Sequence, residues 1–547
     1  MISDKNRDVS KVVSLSALGL FCVVYAINAY YSYSATMVGD IHLYLSFTKA
    51  LLHGSFSIPN PLASLLSGHF SGGYASFTTG IPLDNGTLVS AVTVGTHLLL
   101  APFVWLFDDN VFWIAPVFYD LVLILSLFMF TRAYFAKRIP ASDSLAWYAA
   151  LAVTALYGIL VNFRLNLRRD TLCAALLCLL TALLFQAMQT NKKRFWHTSL
   201  ALISLLTITK IYFAFLYIPF LAILVTVIRK QPVRLKDGAI QCTIAFLINL
   251  VLYIPFFLQN HAGTGHWFCL TQQAAFGQLY MPQSVPLTIG AMAANTLELI
   301  KVQAVFFIPD GIPVLGAAIT ILLLLAGVWA ERKNAFVMFW LLPCWLFLYG
   351  FFIVWHQSHP GEDFAYNIYL SPTYPISMFF VICGIVFIVQ RYLKKKWILP
   401  AIAVIALLPF LLVKTYRIMP SHRHVRFQLP QAVQLRSDIL GIMPEGSILL
   451  CDKFLSLSID YFAGVHSFPP SRLGGSAAEI ARGIACLIDS NKTVFIADYL
   501  GIEGSYVYVD SLRDYFDLQL VKEKQPLLNF PAEGGGGYMA IYEIRRK

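Results

Sequence analysis

Long apolar runs alternate with short polar stretches along the first 414 residues of the chain. Many of these runs reach about 18 residues, the length at which an apolar stretch becomes a candidate membrane-spanning helix. The pattern predicts about eleven such helices, or up to about thirteen if further apolar stretches also span. The predicted spans are residues 12–35, 111–131, 145–162, 171–190, 197–209, 212–228, 238–257, 311–330, 335–354, 374–391 and 397–414.

Two further apolar stretches, 89–107 and 287–307, would reverse the alternation of the two membrane faces if they spanned. We therefore predict that both are juxtamembrane or re-entrant helices on the non-cytoplasmic face, because such helices can lie in the interface. For the first stretch an alternative stays open, because Asp108 and Asp109 could form a tight turn between two true spans.

The pattern changes after residue 414. Short apolar segments and polar turns now alternate in "GSILLCDKFLSLSIDYFAG", "NKTVFIADYL" and "GGYMAIYEIR", as is typical of strands. The segments "AAEIARGIACLIDS" and "VDSLRDYFDL" have the periodicity of amphipathic helices. The sequence thus predicts two domains: a transmembrane domain over 1–414, whose first outer loop is 36–110, and a small α/β domain over 415–547.

Composition supports a polytopic membrane protein and excludes a soluble one. Of the 547 residues 58% are hydrophobic and 13% are charged, whereas soluble domains carry about 25% charged residues. The net charge of +11 does not indicate nucleic acid, because the basic residues lie in short loops between apolar runs, where the positive-inside rule places them.

The same rule orients the chain. Lys5, Arg7 and Lys11 precede the first span, so the N-terminus is predicted to be cytoplasmic and the C-terminal domain extracytoplasmic. We expect an integral protein of the cell membrane, such as a bacterial inner membrane.

Ionisable residues gather at the predicted outer face, where charges near the bilayer usually mark function. A carboxylate, Asp40, follows the first span, and basic and acidic residues follow or precede later spans. One carboxylate among several cations near lipid headgroups suits the deprotonation of a hydroxyl beside a bound phosphate. The cluster comprises Asp40, His42, Lys49, Arg164, Arg168, Arg169, Asp170, Lys210, His356, His359, Glu362 and Asp363.

Several stretches resemble GT-C superfamily glycosyltransferases, in particular those of the bacterial aminoarabinose transferase and protein mannosyltransferase type. "VGDIHLYLSFTKALLHGSF" resembles the first-loop motif of that family, and "SGGYASFTTGIP" resembles the small, Gly/Tyr/Pro-containing part of the same loop. "LRRDTLCAALLCLLTALLF" is similar to their fourth helix. "ITKIYFAFLYIPFLAILVTVIRK" and "GEDFAYNIYLSPTYPI" resemble a "TKG…P" stretch and the end of a late outer loop.

This resemblance implies a GT-C-like helical membrane fold and a transferase that takes a sugar from a polyprenyl-phosphate carrier. It implies that Asp40 is the catalytic base, and that Lys210 with Arg164, Arg168 and Arg169 holds the phosphate of the donor. We expect an acceptor- or sugar-binding role for His356, His359, Glu362, Asp363, Tyr366 and Tyr74. The implied partners are the lipid donor, the membrane, and an acceptor that is a glycan, a lipid or a protein, with no nucleic acid.

The sequence departs from the family at two positions. Asp40 is followed by Ile41 where many relatives have a second acid, and Asn367 and Ile368 stand near the place of a late-loop arginine. No cofactor is assigned. The pattern His356-x-x-His359-x-x-Glu362 leaves a divalent metal open, although Pro360 and Gly361 interrupt the helix that such spacing would suit.

Plainer interpretations stand beside these roles. Asp40 could cap the following helix, and a cap can also be a base. Lys210 could snorkel to the interface, whereas Arg168 and Arg169 oppose the positive-inside bias, which favours a bound anion. A transporter or flippase would place charges near the midplane and show repeats, which this sequence does not. A non-catalytic scaffold with an outer domain is the third hypothesis.

Overall fold

The structure is a computed structural model that describes part of the chain. It covers residues 40–59, 80–82, 87–90, 92–136, 169–230, 235–267, 313–358, 371–392, 441–444, 446–451, 473–500, 507–526 and 538–547, with single or short groups of positions between 12 and 26, at 146, between 288 and 296 and between 466 and 470. All structural statements below concern these residues.

Helices dominate the described residues. In chain order they are α1 (Asp40–Leu52), α2 (Gly95–Phe107), α3 (Val111–Phe135), α4 (Arg169–Thr190), α5 (Lys193–Thr209), α6 (Tyr217–Lys230), α7 (Leu235–Thr264), α8 (Pro313–Glu331), α9 (Leu342–Ser358), α10 (Tyr374–Tyr392), α11 (Ala477–Asp489) and α12 (Val507–Leu512). A 3-10 helix precedes α6 (Ile211–Leu216), a π-helix precedes α9 (Val337–Leu341) and a short 3-10 turn precedes α10 (Ser371–Thr373).

The strands are β1 (Ser57–Pro59), β2 (Gly80–Pro82), β3 (Thr87–Ser90), β4 (Ile448–Leu450), β5 (His466–Phe468), β6 (Val494–Leu500), β7 (Phe516–Pro526) and β8 (Tyr538–Arg546).

Five segments of the described residues are long and apolar enough to cross a membrane. They are Ile114–Phe135, Arg169–Thr190, Ile211–Arg229, Ala239–Thr264 and Tyr374–Arg391. Each coincides with a span predicted from the sequence. Shorter predicted spans at 197–209, 311–330 and 335–354 are also helical. The predicted spans 12–35, 145–162 and 397–414, and the predicted interfacial helix 287–307, lie mostly outside the described residues. The total number of spans therefore stays a prediction.

The chain divides into two compact units. One comprises Met1–Tyr33, Ala115–Ile254 and Pro282–Pro420, and the other comprises Ser34–Ile114, Pro255–Met281 and Ser421–Lys547. The predicted boundary near residue 414 is not tested, because residues 393–440 lie outside the described part of the chain.

An aromatic cluster fills the core of the first unit. The ring of Phe130 on α3 lies 5.3 Å from Phe185 on α4, 5.7 Å from Phe336 and 4.9 Å from Phe379 on α10, measured between centroids. Contacts between buried aromatic rings stabilise a fold both by dispersion attraction and by removing apolar surface from solvent. This cluster therefore joins three helices and the segment that leads into the π-helix.

In the second unit, α1 and α2 pack against each other beside a small antiparallel sheet with strand order β1-β3-β2. Helix α2 has 13 residues and rises about 20 Å, which is shorter than the roughly 30 Å hydrocarbon core. Its length fits the predicted juxtamembrane helix better than a span. The sheet was not predicted, since the sequence indicated only helices in this loop.

The C-terminal part of the same unit is a five-stranded mixed sheet with order β5-β4-β6-β8-β7. Strands β5, β4 and β6 are parallel, while β8 runs antiparallel to both β6 and β7. Helix α11 buries Ile480, Ile484 and Leu487 in the hydrophobic core of this sheet. The predicted α/β character is confirmed.

One segment of this region differs from its prediction. "VDSLRDYFDL" (509–518) was expected to be one amphipathic helix, but α12 ends at Leu512 and β7 begins at Phe516. The apolar positions 509, 512 and 516 fit a helical period, yet Phe516 pairs with Arg546 on β8. Tertiary strand pairing thus overrides the local period.

A capping box begins α11. The Glu479 backbone N–H donates to the Ser476 hydroxyl (3.3 Å), and the Glu479 carboxylate accepts from the backbone N–H groups of Ser476 (3.1 Å) and Gly475 (2.8 Å). These backbone hydrogen bonds lower the pKa of Glu479. The folded-state pKa is thus depressed, so this stabilisation is present above the unfolded-state pKa and is lost as pH falls through the folded-state pKa.

Removal of the cap should loosen α11. We expect Ser476→Ala to cost about 1 kcal/mol of local stability, because the helix loses one acceptor for its first-turn N–H groups. Hydrogen exchange of 477–489 in the full-length protein should then accelerate about fivefold. Ser476→Thr, which keeps the hydroxyl, is the control, and equal exchange in all three proteins would contradict the prediction.

Candidate functional site

Asp40 is the first residue of α1. The sequence predicts a helix after the first span, and the structure contains it. This helix begins at Asp40, the predicted catalytic base. The side chains of Asp40 and His42 lie outside the described part of the structure. Both interpretations of Asp40, helix cap and general base, stay open on this geometry.

An ion pair connects the C-terminal turn of α1 to the segment between α2 and α3. Lys49 forms an ion pair with Asp108 at 2.8 Å, with 38% and 72% of the two side chains exposed. Asp108 has a φ of 44°, in the left-handed region that few residues other than glycine adopt. Asp108 begins a 3-10 helix (Asp108–Asn110) that connects α2 to α3.

Helix α1 is also held at its middle by a buried histidine. His97 on α2 is 3% exposed, and its ring nitrogens lie within hydrogen-bonding distance of Thr48 and the Tyr44 carbonyl on α1 and of Ser90 on β3. This residue was not predicted from the sequence. A lone histidine in an apolar run gave no local signal, because its partners are distant along the chain.

Lys210 lies at a break between two helices of the first unit. It ends α5 in an extended conformation (φ −146°, ψ 112°), its N–H donates to the Leu206 carbonyl (2.8 Å), and its carbonyl accepts from Phe213 (2.9 Å) as the 3-10 helix begins. The side chain is buried rather than solvated. Lys210 therefore does not snorkel to the interface in this structure.

The ammonium group of Lys210 donates to the carboxylate of Asp170, and the two side chains are 6% and 7% exposed. Asp170 is in the first turn of α4, directly after the half-buried Arg169. The Lys210 Nζ also lies 5.6 Å from the ring centroid of Tyr212. Arg169, Asp170 and Lys210 together carry a net charge of +1, at a helix N-terminus whose dipole also favours an anion.

The C-terminal part of α9 packs against the 3-10 helix that follows Lys210. Tyr212, two residues after Lys210, lies 4.5 Å from Phe351 between ring centroids, and Phe215 stacks on Phe347 at 3.7 Å. His356 follows Phe351 by five residues on the same helix. The start of α4, the end of α5 and the C-terminal half of α9 therefore lie close together.

The remaining candidates cannot be placed. The side chain of His356 and the residues Arg164, Arg168, His359, Glu362, Asp363, Tyr366 and Tyr74 lie outside the described part of the chain. Within the described residues no group of three or more His, Cys, Asp or Glu side chains could hold a metal ion. Because His359 and Glu362 are not described, this leaves the metal open.

One carboxylate at membrane depth was also missed. Asp120 lies nine residues after the start of α3 and is 2% exposed. An acidic residue inside an apolar helix is a functional signal in membrane proteins. The single Asp in "VFYDLVLIL" carries that signal in the sequence, but the prediction rested on charges at the ends of the apolar runs.

Comparison with solved structures identifies the fold. No protein-family model and no curated protein matches the chain. The crystal structure of ArnT from Cupriavidus metallidurans bound to undecaprenyl phosphate is similar over 96% of this chain and 97% of its own, with a TM-score of 0.56 and 13% identity. The apo state of ArnT has the same identity and coverage with a TM-score of 0.44. The spanning segments mark the chain as an integral membrane protein, and its fold is similar to that of ArnT, which confirms the predicted polytopic helical membrane fold.

Proposed function

We propose that this protein is a glycosyltransferase that moves a sugar from a polyprenyl-phosphate carrier to an acceptor hydroxyl at the extracytoplasmic face. The observation that carries the proposal is the fold likeness to ArnT over 96% of the chain. That solved structure holds undecaprenyl phosphate, a lipid of the carrier class that the sequence motifs imply. Asp40, which begins α1, is the proposed base.

The proposed reaction is a single displacement with inversion. The Asp40 carboxylate takes the proton of the acceptor hydroxyl, and the acceptor oxygen forms a bond to the anomeric carbon. The bond from that carbon to the phosphate oxygen breaks, and the polyprenyl phosphate leaves with the electron pair. Cations at the phosphate stabilise the negative charge that develops on the leaving group.

We assign those cations to Lys210, Arg168, Arg169 and Arg164. Arg169 and Lys210 are within the cluster at the start of α4, and arginine offers a bidentate fork where lysine offers a point charge. Since Lys210 contacts Asp170, a phosphate would share this ammonium group with the carboxylate. The acceptor- or sugar-binding role of His356, His359, Glu362, Asp363, Tyr366 and Tyr74 is part of the same proposal.

The proposed orientation follows from the distribution of basic residues. The N-terminus is cytoplasmic, and the transmembrane domain (1–414) is followed by an extracytoplasmic α/β domain (415–547). In a bacterium this would be an enzyme of the inner membrane. Donor and acceptor would then meet on the outer side.

The direct test is Asp40→Asn in proteoliposomes. Wild-type protein is supplied with a panel of polyprenyl-phosphate sugars and acceptors, and released polyprenyl phosphate is measured by mass spectrometry. Loss of the general base should lower the rate about 10²–10⁴-fold. The amount of co-purified polyprenyl phosphate should not fall, because the cations and not Asp40 hold the phosphate.

A matched control is Asp237→Asn. Asp237 is also in the first turn of a helix that enters a candidate span, but it lies on the predicted cytoplasmic face. Its replacement should leave turnover unchanged. Equal turnover in Asp40→Asn and wild type would reject the base. Movement of intact lipid-linked sugar between leaflets without cleavage would instead identify a transporter.

A further inference from the structure

His97, on α2 in the predicted first loop, makes polar contacts with two other elements of that loop, α1 and β3. Its Nδ1 atom lies 3.2 Å from the Thr48 hydroxyl and 3.2 Å from the Tyr44 carbonyl, both on α1. Its Nε2 atom lies 2.9 Å from the Ser90 hydroxyl on β3. The Phe47 ring lies beside the imidazole, with the two centroids 5.9 Å apart and the ring planes tilted by 52°. This burial makes the geometry of the contacts specific, because water cannot replace them at low cost.

The neighbouring donors determine where the ring carries its proton. The Thr48 hydroxyl already donates to the Tyr44 carbonyl at 2.7 Å, so both oxygens near Nδ1 present lone pairs. Nδ1 must therefore be the protonated nitrogen. The Ser90 oxygen accepts from the Val92 N–H at 3.1 Å, and its own proton can be donated to Nε2. A neutral imidazole with the proton on Nδ1 satisfies every one of these contacts.

The histidine therefore joins α1 to a firmly anchored part of the loop. Ser90 belongs to β3, the central strand of the small sheet. The Gln259 amide on α7 donates to the Ser90 carbonyl (3.2 Å) and the Val92 carbonyl (2.7 Å). These contacts connect α1, through His97, to the sheet and to the end of α7.

On the helix, the contact points lie close to Asp40. Tyr44 is one turn and Thr48 about two turns after Asp40, which is roughly 6 Å and 12 Å along the axis. Displacing α1 here would move its first residue, since an α-helix transmits such shifts as a rigid rod. A shift of about 1 Å in a catalytic group can cost a hundredfold in rate.

We infer that His97 is a positioning residue of the transferase reaction, which fixes α1, and with it Asp40, by donating from Nδ1 to α1 while Nε2 is held by Ser90. This inference rests on the proposed function. His97 does not act on the substrate; its effect is on the placement of the base.

Asparagine and glutamine form a matched pair for the test. In His97→Asn the new amide would lie near the position of Nδ1 and can keep the hydrogen bond to α1. In His97→Gln the longer side chain would carry its amide near the position of Nε2 and can keep the contact with Ser90. Each variant loses one half of the bridge, and His97→Leu loses both. A purely structural role predicts similar kinetics for the two amide variants.

We expect kcat to fall at least tenfold in His97→Gln and His97→Leu and less than threefold in His97→Asn. The KM for the carrier lipid should stay within twofold of wild type in all three, because the phosphate-binding residues are elsewhere. Hydrogen exchange of 40–52, measured on the full-length protein without substrate, should accelerate in His97→Gln and His97→Leu and not in His97→Asn.

The two readouts separate the possible failures. Unchanged exchange in His97→Leu would show that the histidine does not hold α1 and would overturn the inference. Faster exchange with undiminished kcat would overturn the positioning role while leaving the contact intact. Hydrogen exchange of 40–52 could rank the three variants as expected while the wild-type protein cleaves no polyprenyl-phosphate sugar. In that case the proposed function is wrong, and so is the role of His97 in the reaction, although its contact with α1 stands.

Discussion

Lys210→Met should lower the free energy of unfolding by about 3–5 kcal/mol, the usual cost of removing one partner from a buried ion pair. Methionine has a similar length but no charge, so the Asp170 carboxylate, 7% exposed, would lose the ammonium group that it contacts. Native proteins are stable by only about 5–15 kcal/mol. The variant should therefore give much less folded protein in detergent and a clearly lower unfolding temperature.

A second substitution, Asp170→Leu, separates the cost of leaving a buried charge unpaired from any role of Lys210 in function. In Lys210→Met/Asp170→Leu neither charge is buried, and such replacements are often neutral or stabilising. We expect the double variant to recover stability to within about 1 kcal/mol of wild type. The exposed pair Lys49–Asp108 provides the control, because Lys49→Met should cost less than about 1 kcal/mol. A double variant as unstable as the single one would contradict this account.

The double variant also tests the proposed role of Lys210 in the donor site. If it is stable yet co-purifies with no polyprenyl phosphate, the ammonium group binds the phosphate in addition to pairing with Asp170. If it is stable and retains the lipid, the pair serves the structure alone. The arginines at the start of α4 would then hold the phosphate without Lys210.

The membrane helices were predictable because length and composition determine them. The predicted spans 111–131, 171–190 and 374–391 correspond to α3, α4 and α10 with ends that agree to within a few residues. The 3-10 segment at 211–216 and the π-helix at 337–341 were not predictable in the same way. These local changes of hydrogen bonding depend on packing, such as the stacking of Phe215 on Phe347, and apolar periodicity does not report them.

The small sheet of the first loop was missed for a related reason. Strands of three or four residues are too short for alternation to be visible. Asn85-Gly86, between β2 and β3 in the sequence, is a dipeptide typical of hairpin connections, and the hydrophobic pattern does not register it.

Charge in the sequence identified two residues that the structure brings together. The sequence placed Lys210 and the residues at the start of α4 at one face, and the structure brings Asp170 and Lys210 into contact. It could not show that Lys210 is buried, since burial depends on elements distant in sequence. His97 shows the same limit, because Tyr44, Thr48 and Ser90 become its partners only when the loop folds.

A second large effect is expected where α8 and α10 cross. A Cβ atom on Gly384 would lie 2.0 Å from the Leu323 carbonyl oxygen, and one on Gly327 would lie 1.9 Å from the Phe380 carbonyl oxygen. Small residues allow membrane helices to approach closely, which maximises van der Waals contact. Both clashing atoms belong to the backbone, so no side chain can rotate away and the helices themselves would have to separate.

We therefore expect Gly384→Ala and Gly327→Ala each to cost at least about 3 kcal/mol, the upper part of the range for overpacking. Gly350→Ala on α9 is the matched control, since a Cβ there meets no atom within 4 Å. In that helix interior alanine should be neutral or stabilising by up to about 1 kcal/mol. Thermal unfolding in detergent ranks the three variants, and a Gly384→Ala protein as stable as Gly350→Ala would mean that α8 and α10 do not cross at these glycines.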